Sequence, residues 1–273
     1  MNCMEVCGGH GEGTRYYRRP GLDVWVLSRV RQDVEAGGGD LHLLSSCASG
    51  RITRMLMADI CAFGPLFDGV ASRLRRVLKR NVNTILQTRS VRQMSEELAA
   101  AAQHGGFAST LMSTFFAPTR SFTVCNAGHP APMLYRRQTR EWSLLTTASA
   151  PVVDVETVPG TVPTEEYQQS STHLQVGDLV LACSSSLTEA RYRSGEALGV
   201  EGLLSRVRRL PDDDPGLLPQ RLIDDLLEEH CGNLDDVDST VLLCQATTTC
   251  VGWRDNVLAP FRLFRPVSDS TSF

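Results

Sequence analysis

The pattern of apolar and polar residues predicts an ordered region that opens with a hairpin and a helix. Two apolar β-type runs, at 41–44 and 52–60, flank a short turn-forming segment at 47–50, which is typical of a β-hairpin. Apolar residues then recur at three- and four-residue steps over 66–85. This spacing predicts an amphipathic helix.

The rest of the chain alternates groups of strands with groups of helices. A second helix is predicted over Ser90–His104, where Ser90 is a suitable N-cap. Further strands are predicted at 108–116, 121–126, 133–135, 142–145 and 174–183, helices at 200–209 and 217–229, and a last strand at 240–244. This order lacks the strict alternation of a doubly wound parallel sheet. It indicates an α+β protein in which antiparallel sheets face each other and helices lie outside.

The two ends of the chain lack this regular pattern. Residues 1–30 are rich in glycine and then in arginine and tyrosine, and we interpret them as a loosely ordered leader, in which the pattern becomes strand-like from about Asp23. Residues 31–246 carry the pattern of a single domain. Residues 247–273 contain Trp253, prolines and terminal serines, and we interpret them as a partly disordered C-terminal extension.

Composition and charge argue against several classes of protein. Lys+Arg 27 against Asp+Glu 31 gives a net charge of −4, which does not favour nucleic-acid binding. The longest apolar stretches are about five residues, whereas a membrane helix needs about 20. The nine cysteines are an odd number, and several lie in apolar runs. We therefore expect a protein of the reducing cytoplasm, with neither a nucleic acid nor a membrane as partner.

Three segments place aspartates at the ends of predicted strands. Asp40 stands at the entry to one strand, Asp59 at the end of the next, and an aspartate-rich group at 235–238 precedes the last strand. Asp59 is the most informative, because a charge that ends an apolar run needs a partner. Carboxylates that converge on one cleft prefer hard cations such as Mg²⁺ or Mn²⁺. Taken alone, aspartates at such positions are more often turn formers, so a divalent metal site is one of two interpretations at this point.

The same segments belong to an ordered set of short motifs. In chain order these are Gly38-Gly39-Asp40, Asp59-Ile60 with Gly64, Cys125-Asn126-Ala127-Gly128-His129-Pro130, Gly177-Asp178-Leu179-Val180-Leu181 and Leu187-Thr188-Glu189-Ala190-Arg191. Over about residues 30–246, the set resembles the metal-dependent serine/threonine protein phosphatases of the bacterial SpoIIE type. The resemblance implies an αββα sandwich of two antiparallel sheets flanked by helices, in agreement with the predicted element order.

The resemblance also implies a reaction and a set of metal ligands. The reaction is hydrolysis of phosphoserine or phosphothreonine by a water that two Mn²⁺ or Mg²⁺ ions activate. Asp40 would ligate the first metal, and Asp59 would bridge both metals. The backbone carbonyl of Ile60 would complete the ligand set of the first metal. Asp236 or Asp238 would ligate the second metal, and the sequence leaves both candidates open.

One departure from the family pattern weakens the second metal site. Ser185 stands where the family usually has an aspartate, and a hydroxyl is a much poorer ligand for a hard cation than a carboxylate. Two interpretations follow. The chain is a working but divergent phosphatase that acts on a regulatory phosphoprotein, such as an anti-sigma-factor antagonist. Alternatively, it is a pseudophosphatase that binds a partner protein without turnover. The oligomeric state is not predicted.

Other combinations of chemically active residues carry less weight. Cys3, Cys7 and His10 supply three possible zinc ligands within eight residues, but a structural zinc site usually needs four. His129 lies in a glycine-proline turn, which we interpret as a structural element near the site. Cys125 belongs to an apolar run, where its thiol is expected to be inert.

Overall fold

A computed structural model gives the architecture of the chain. It describes residues 4–30, 39–61, 65–84, 90, 93–94, 96–97, 107–145, 169–192, 194–228, 234, 237–263 and 265–272. The strands are β1 (Glu5–Gly9), β2 (Gly13–Arg19), β3 (Leu22–Arg29), β4 (Gly39–Ser46), β5 (Ile52–Cys61), β6 (Phe107–Phe116), β7 (Ser121–Ala127), β8 (Met133–Arg136), β9 (Glu141–Leu144), β10 (Gln169–His173), β11 (Leu179–Cys183), β12 (Ser239–Ala246) and β13 (Ser268–Ser272). The helices are α1 (Pro65–Arg80), α2 (Ser185–Glu189), α3 (Gly199–Val207), α4 (Leu218–Glu228) and α5 (Trp253–Arg262), with a short 3₁₀ turn at Pro215–Leu217.

These strands form two sheets. The first sheet has seven strands in the order β10-β7-β6-β5-β4-β1-β13, and the second has six in the order β2-β3-β12-β11-β8-β9. Neighbouring strands pair antiparallel, except that β13 pairs parallel with β1. None of the described helices is both long enough and apolar enough to cross a membrane.

Apolar side chains fill three layers between the sheets and the helices. In the middle layer, Met55 and Phe115 of the first sheet pack against Val24 and Leu242 of the second. On the outer face of the first sheet, α1 packs on strands β4, β5 and β6. On the outer face of the second sheet, α2, α3 and α4 pack on β11 and β12. The predicted α+β fold, an αββα sandwich of two sheets, is confirmed.

Most predicted elements of the central region are confirmed. The hairpin over 41–60 is β4 and β5, and the first helix is α1. The predicted helix over 90–104 lies largely outside the described residues, of which 90, 93–94 and 96–97 are helical. The predicted strand over 174–183 was too long, because only its second half is a strand, β11.

The interpretation of residues 1–30 as a loosely ordered leader was wrong. Residues 5–29 form three strands, and β1 lies inside the first sheet between β4 and β13. Glycine disfavours strands, which is why the sequence pattern concealed β1. Gly8 is nevertheless required there, because a Cβ would lie 2.3 Å from the backbone oxygen of His42. The bounds of the domain at 31–246 stay a prediction.

The interpretation of residues 247–273 as partly disordered was wrong for their described part. Helix α5 and strand β13 are both formed, and β13 completes an edge of the first sheet. The apolar side chains Trp253, Val257 and Phe261 of α5 stay exposed. This apolar stripe therefore does not face the core of the sandwich.

A buried aspartate explains the Gly177-Asp178 motif. The Asp178 side chain is buried at the start of β11, and its Oδ1 accepts a hydrogen bond of 2.9 Å from the backbone N–H of Arg137. Its Oδ2 accepts bonds of 2.7 Å from the Arg136 guanidinium and 2.9 Å from the Gln175 backbone N–H. The carboxylate therefore ties β8 to the turn before β11.

Replacing Asp178 should destabilise the protein strongly. Asp178→Ala leaves three donors without their acceptor, so the free energy of unfolding should fall by about 3 kcal/mol. The matched control is Asp224→Ala, at an exposed position of α4, which should change it by less than about 0.5 kcal/mol. Urea denaturation measures both. Equal stabilities for the two variants would contradict the structural role of Asp178.

Candidate metal centre

Two aspartates face each other across the β4–β5 ladder. Asp40 pairs directly with Asp59 in the antiparallel register. Opposed residues in such a pair have their Cβ atoms about 5 Å apart on the same face of the sheet, and like charges there are destabilising. The predicted hairpin thus brings two of the predicted metal ligands together, with a repulsion that needs compensation.

Among the described residues, protein groups compensate Asp40 only in part. Burial raises the pKa of Asp40 well above its ordinary value, and the Asp59 charge raises it further, although hydroxyl groups of Ser184 and Thr240 oppose the shift. The buried Oδ2 of Asp40 has no hydrogen-bond partner among the described residues. A buried oxygen in this state suits a cation as its partner.

Asp59, in contrast, is compensated by protein groups. Its Oδ2 accepts a 2.8 Å hydrogen bond from the Ser185 backbone N–H and a second, short bond from the Ser185 hydroxyl. Its Oδ1 lies 3.3 Å from Nε2 of His129. Burial alone would raise the pKa of Asp59, but His129 and Ser185 outweigh it and lower the pKa below its ordinary value. Asp59 is therefore held as a carboxylate.

The two compensating groups are themselves fixed by their motifs. The Asn126 side chain accepts a hydrogen bond from the His129 N–H at 2.9 Å and donates one to the His129 carbonyl at 2.7 Å. Gly128, with φ of 73°, makes the turn between them. Ser184 bonds the Thr240 backbone in both directions and so fixes the start of α2. His129 thus lies at the site, as its interpretation as a structural turn near the site implies, and its side chain faces Asp59.

Asp238 reaches the same place from the second sheet. It is buried just before β12, and its Oδ2 accepts a hydrogen bond of 3.3 Å from the Asp40 backbone N–H. Gly39 makes room for this approach, since a Cβ at residue 39 would lie 2.8 Å from the Asp238 Oδ2. The site therefore lies on the seam between the two sheets.

The structure locates some of the predicted ligands at the site, and one of them lies outside the described residues. Asp40, Asp59 and Asp238 come together, whereas Asp236 lies outside the described residues. Ile60 follows Asp59 in β5 and pairs with Gly39, so its backbone lies beside the site. Their roles as ligands, including the Ile60 carbonyl, stay predictions.

In the described part of the chain, no three histidine, cysteine, aspartate or glutamate side chains are arranged to hold a metal ion. What the geometry offers is the facing carboxylate pair of Asp40 and Asp59, with the unpartnered Asp40 oxygen. That pair fits a hard divalent cation, whose other ligands would be backbone oxygen and water.

A further histidine at the site was missed from the sequence. Nδ1 of His10, in the turn between β1 and β2, lies 2.9 Å from the Asp40 backbone oxygen. The zinc alternative is not supported, because the Cys7 thiol is buried and accepts a hydrogen bond from Arg19 instead. Burial raises the pKa of the Cys7 thiol to about 11. The glycine-rich turn around His10 was the available signal, since such turns bring backbone close to other groups.

The raised pKa of Asp40 gives a pH-dependent stability in metal-free protein. A carboxyl whose pKa is raised on folding destabilises the folded state as the pH rises from its unfolded value, about 4, through its folded value. In buffer that contains a metal chelator, Asp40→Asn should therefore be more stable than wild type at pH 7. This gain in stability should vanish below about pH 4. Thermal denaturation against pH measures this. A gain that is independent of pH, or one shared by the exposed Asp224→Asn, would contradict the assignment.

Comparison with solved structures supports the fold. The RsbU and RsbW domains of Rv1364c from Mycobacterium tuberculosis are 20% identical over 85% of this chain, with a TM-score of 0.60. This chain covers 63% of that protein, which is less than two thirds of its length. The phosphatase domain of SpoIIE from Bacillus subtilis is 13% identical, with coverage of 86% of this chain and 97% of that domain and a TM-score of 0.62. RsbX in complex with magnesium is 12% identical, with coverage of 86% and 100% and a TM-score of 0.60. At these identities the likeness establishes a shared fold.

Comparison with family models identifies the family. A search of curated protein sequences finds no match. The model of the family described as Stage II sporulation protein E (SpoIIE) matches residues 53–247, which is more than half of the chain. The matched stretch contains Asp59, the His129 turn, Ser185 and Asp238. The chain therefore belongs to the SpoIIE family and has its phosphatase fold.

Proposed function

We propose that this protein is a divergent phosphoserine/phosphothreonine phosphatase that works with one tightly bound Mn²⁺ or Mg²⁺ ion. The observation that carries the proposal is the pairing of Asp40 with Asp59, in which the buried Asp40 Oδ2 has no partner among the described residues. A family with a phosphatase fold and a carboxylate pair that needs a cation together support metal-assisted hydrolysis.

Each residue of the site has a separate role in the proposed reaction. Asp40 and Asp59 hold the cation, while Ser185 and His129 keep Asp59 ionised and correctly oriented. Asp238 accepts the Asp40 backbone N–H and so fixes the start of β4. A bound divalent ion supplies a water of lowered pKa and withdraws charge from the phosphoryl oxygens.

Ser185 is the reason for proposing one tight ion instead of two. Both of its donors bind Oδ2 of Asp59, so they occupy a carboxylate oxygen that a second cation would otherwise use as a ligand. It adds no charge of its own for a second ion. The same feature favours the alternative, a pseudophosphatase that binds a partner without turnover. Turnover with Mn²⁺ distinguishes the phosphatase from the pseudophosphatase.

The substrate in this proposal is a regulatory phosphoprotein in the cytoplasm. The similar structures include the phosphatase domain of a cell fate determinant, SpoIIE, which supports a regulatory substrate. Six cysteines among the described residues carry free thiols, and this supports a reducing compartment.

Mn²⁺-dependent turnover is the first expected outcome. Wild type should hydrolyse a phosphoserine peptide as Mn²⁺ is titrated in, and Asp59→Asn should lower kcat/KM by more than about 100-fold, because it removes a charge that holds the ion. Exposed Asp224→Asn is the control and should match wild type. Metal-independent turnover, or full activity of Asp59→Asn, would contradict the proposed site.

Restoring the family aspartate should separate the two candidate functions. Ser185→Asp with Ser186→Gly places a carboxylate against Asp59 and should create a second Mn²⁺ site, raising turnover by about tenfold. Ser186→Gly alone is the matched control, since it removes the Ser186 hydroxyl, with its contacts to Ser184 and Ser239, and adds no carboxylate. If wild type is inactive and only the double variant turns over, the pseudophosphatase alternative is supported. If neither turns over or binds Mn²⁺, the phosphatase proposal fails.

A further inference from the structure

The N-terminal hairpin, β1 and β2 with the turn between them, delivers a side chain into the metal centre. We propose that His10 is a positioning residue, which holds Asp40 and Asp238 in their metal-binding arrangement through its Nδ1–H group. The inference rests on the proposed metal site and adds to it a residue that lies before the matched stretch of the family, 53–247.

The contacts of His10 assign its proton and its direction. Nδ1 lies 2.9 Å from the Asp40 backbone oxygen, and because a carbonyl only accepts, Nδ1 carries the hydrogen. The same nitrogen lies 3.8 Å from the Asp238 Oδ2. Phe67 of α1 contacts the imidazole edge to face, with ring centroids 5.1 Å apart, and holds the ring against the site.

His10 lies where the segments that carry Asp40 and Asp238 meet at the seam between the two sheets. Asp40 belongs to the first sheet and Asp238 leads into the second, and the direct link between them is a long hydrogen bond of 3.3 Å. The imidazole N–H faces an oxygen of each residue. It therefore joins the two ligand-bearing segments at the seam.

Gly39 shows that the backbone is built around this contact. A Cβ at residue 39 would lie 2.9 Å from Cε1 of His10 and 2.8 Å from the Asp238 Oδ2. Both groups thus occupy the space that a side chain would take. The glycine before Asp40 is required for close packing of the imidazole and the carboxylate.

A direct metal-ligand role would have to use Nε2 of His10. The ring nitrogen nearest to Asp238 is Nδ1, which already donates to the Asp40 carbonyl. Ligating residues of metal sites are commonly oriented by such outer hydrogen bonds, and removing one typically costs about 10–100-fold in metal affinity.

The test is a set of variants that keep or lose the Nδ1–H group. His10→Asn places an amide N–H near the Nδ1 position, His10→Gln places one near Nε2, and His10→Ala removes both. Metal affinity is measured directly by Mn²⁺ titration with electron paramagnetic resonance, and the stability of metal-free protein by denaturation. Exposed His173→Ala is the matched control.

The expected result is a split among these variants. His10→Asn should keep Mn²⁺ affinity within about threefold of wild type, whereas His10→Ala and His10→Gln should lose about 10–100-fold. Unchanged affinity in His10→Ala, or equal losses in His10→Asn and His10→Ala, would overturn the proposal. Mn²⁺ binding with this split but without turnover would support the positioning role and count against the phosphatase proposal.

Pulsed paramagnetic resonance of the Mn²⁺ complex separates positioning from ligation. If His10 only positions the ligands, its imidazole is not bound to the ion. The ¹⁴N coupling of a directly bound imidazole should then be no larger in wild type than in His10→Ala. A coupling that is present in wild type and lost in His10→Ala would make His10 a ligand and overturn the positioning role.

Discussion

Asp40 and Asp59 face each other on one face of the β4–β5 ladder, and the other residues of the site offset the repulsion between these two carboxylates. Two carboxylates at this spacing repel each other and lose solvation together. The fold brings Ser185 from α2 and His129 from a turn after β7 to one of them. It leaves the other with a buried oxygen that has no partner among the described residues.

This asymmetry is the physical core of the proposed one-ion site. Asp59 keeps its charge in the absence of metal because donors surround it, and the shift of its pKa is downward. Asp40 is destabilised as a carboxylate in the absence of metal, and its pKa shifts upward. A single cation would relieve Asp40 and also bind Asp59. The replacement of a family aspartate by Ser185 is thus a change in how charge is balanced, beyond the loss of a ligand.

The sequence predicted what depends on local pattern and on short motifs. The two apolar runs around a turn-forming segment predicted β4 and β5. The short motifs pointed to Asp40, Asp59 and the aspartate group before β12. It missed His10, because a glycine-containing strand and a polar edge strand look like a flexible leader. It interpreted Ser185 as a missing charge, since a hydroxyl's donor role depends on the position of Asp59, far away in the chain. Contacts of this kind exist only after the sheets have packed.

The number of Mn²⁺ ions bound tightly per chain tests the central claim most directly. Equilibrium dialysis with metal analysis measures it for wild type and for Asp40→Asn. The account predicts one tight ion in wild type and none in Asp40→Asn. Two tight ions in wild type, or one that persists in Asp40→Asn, would contradict it.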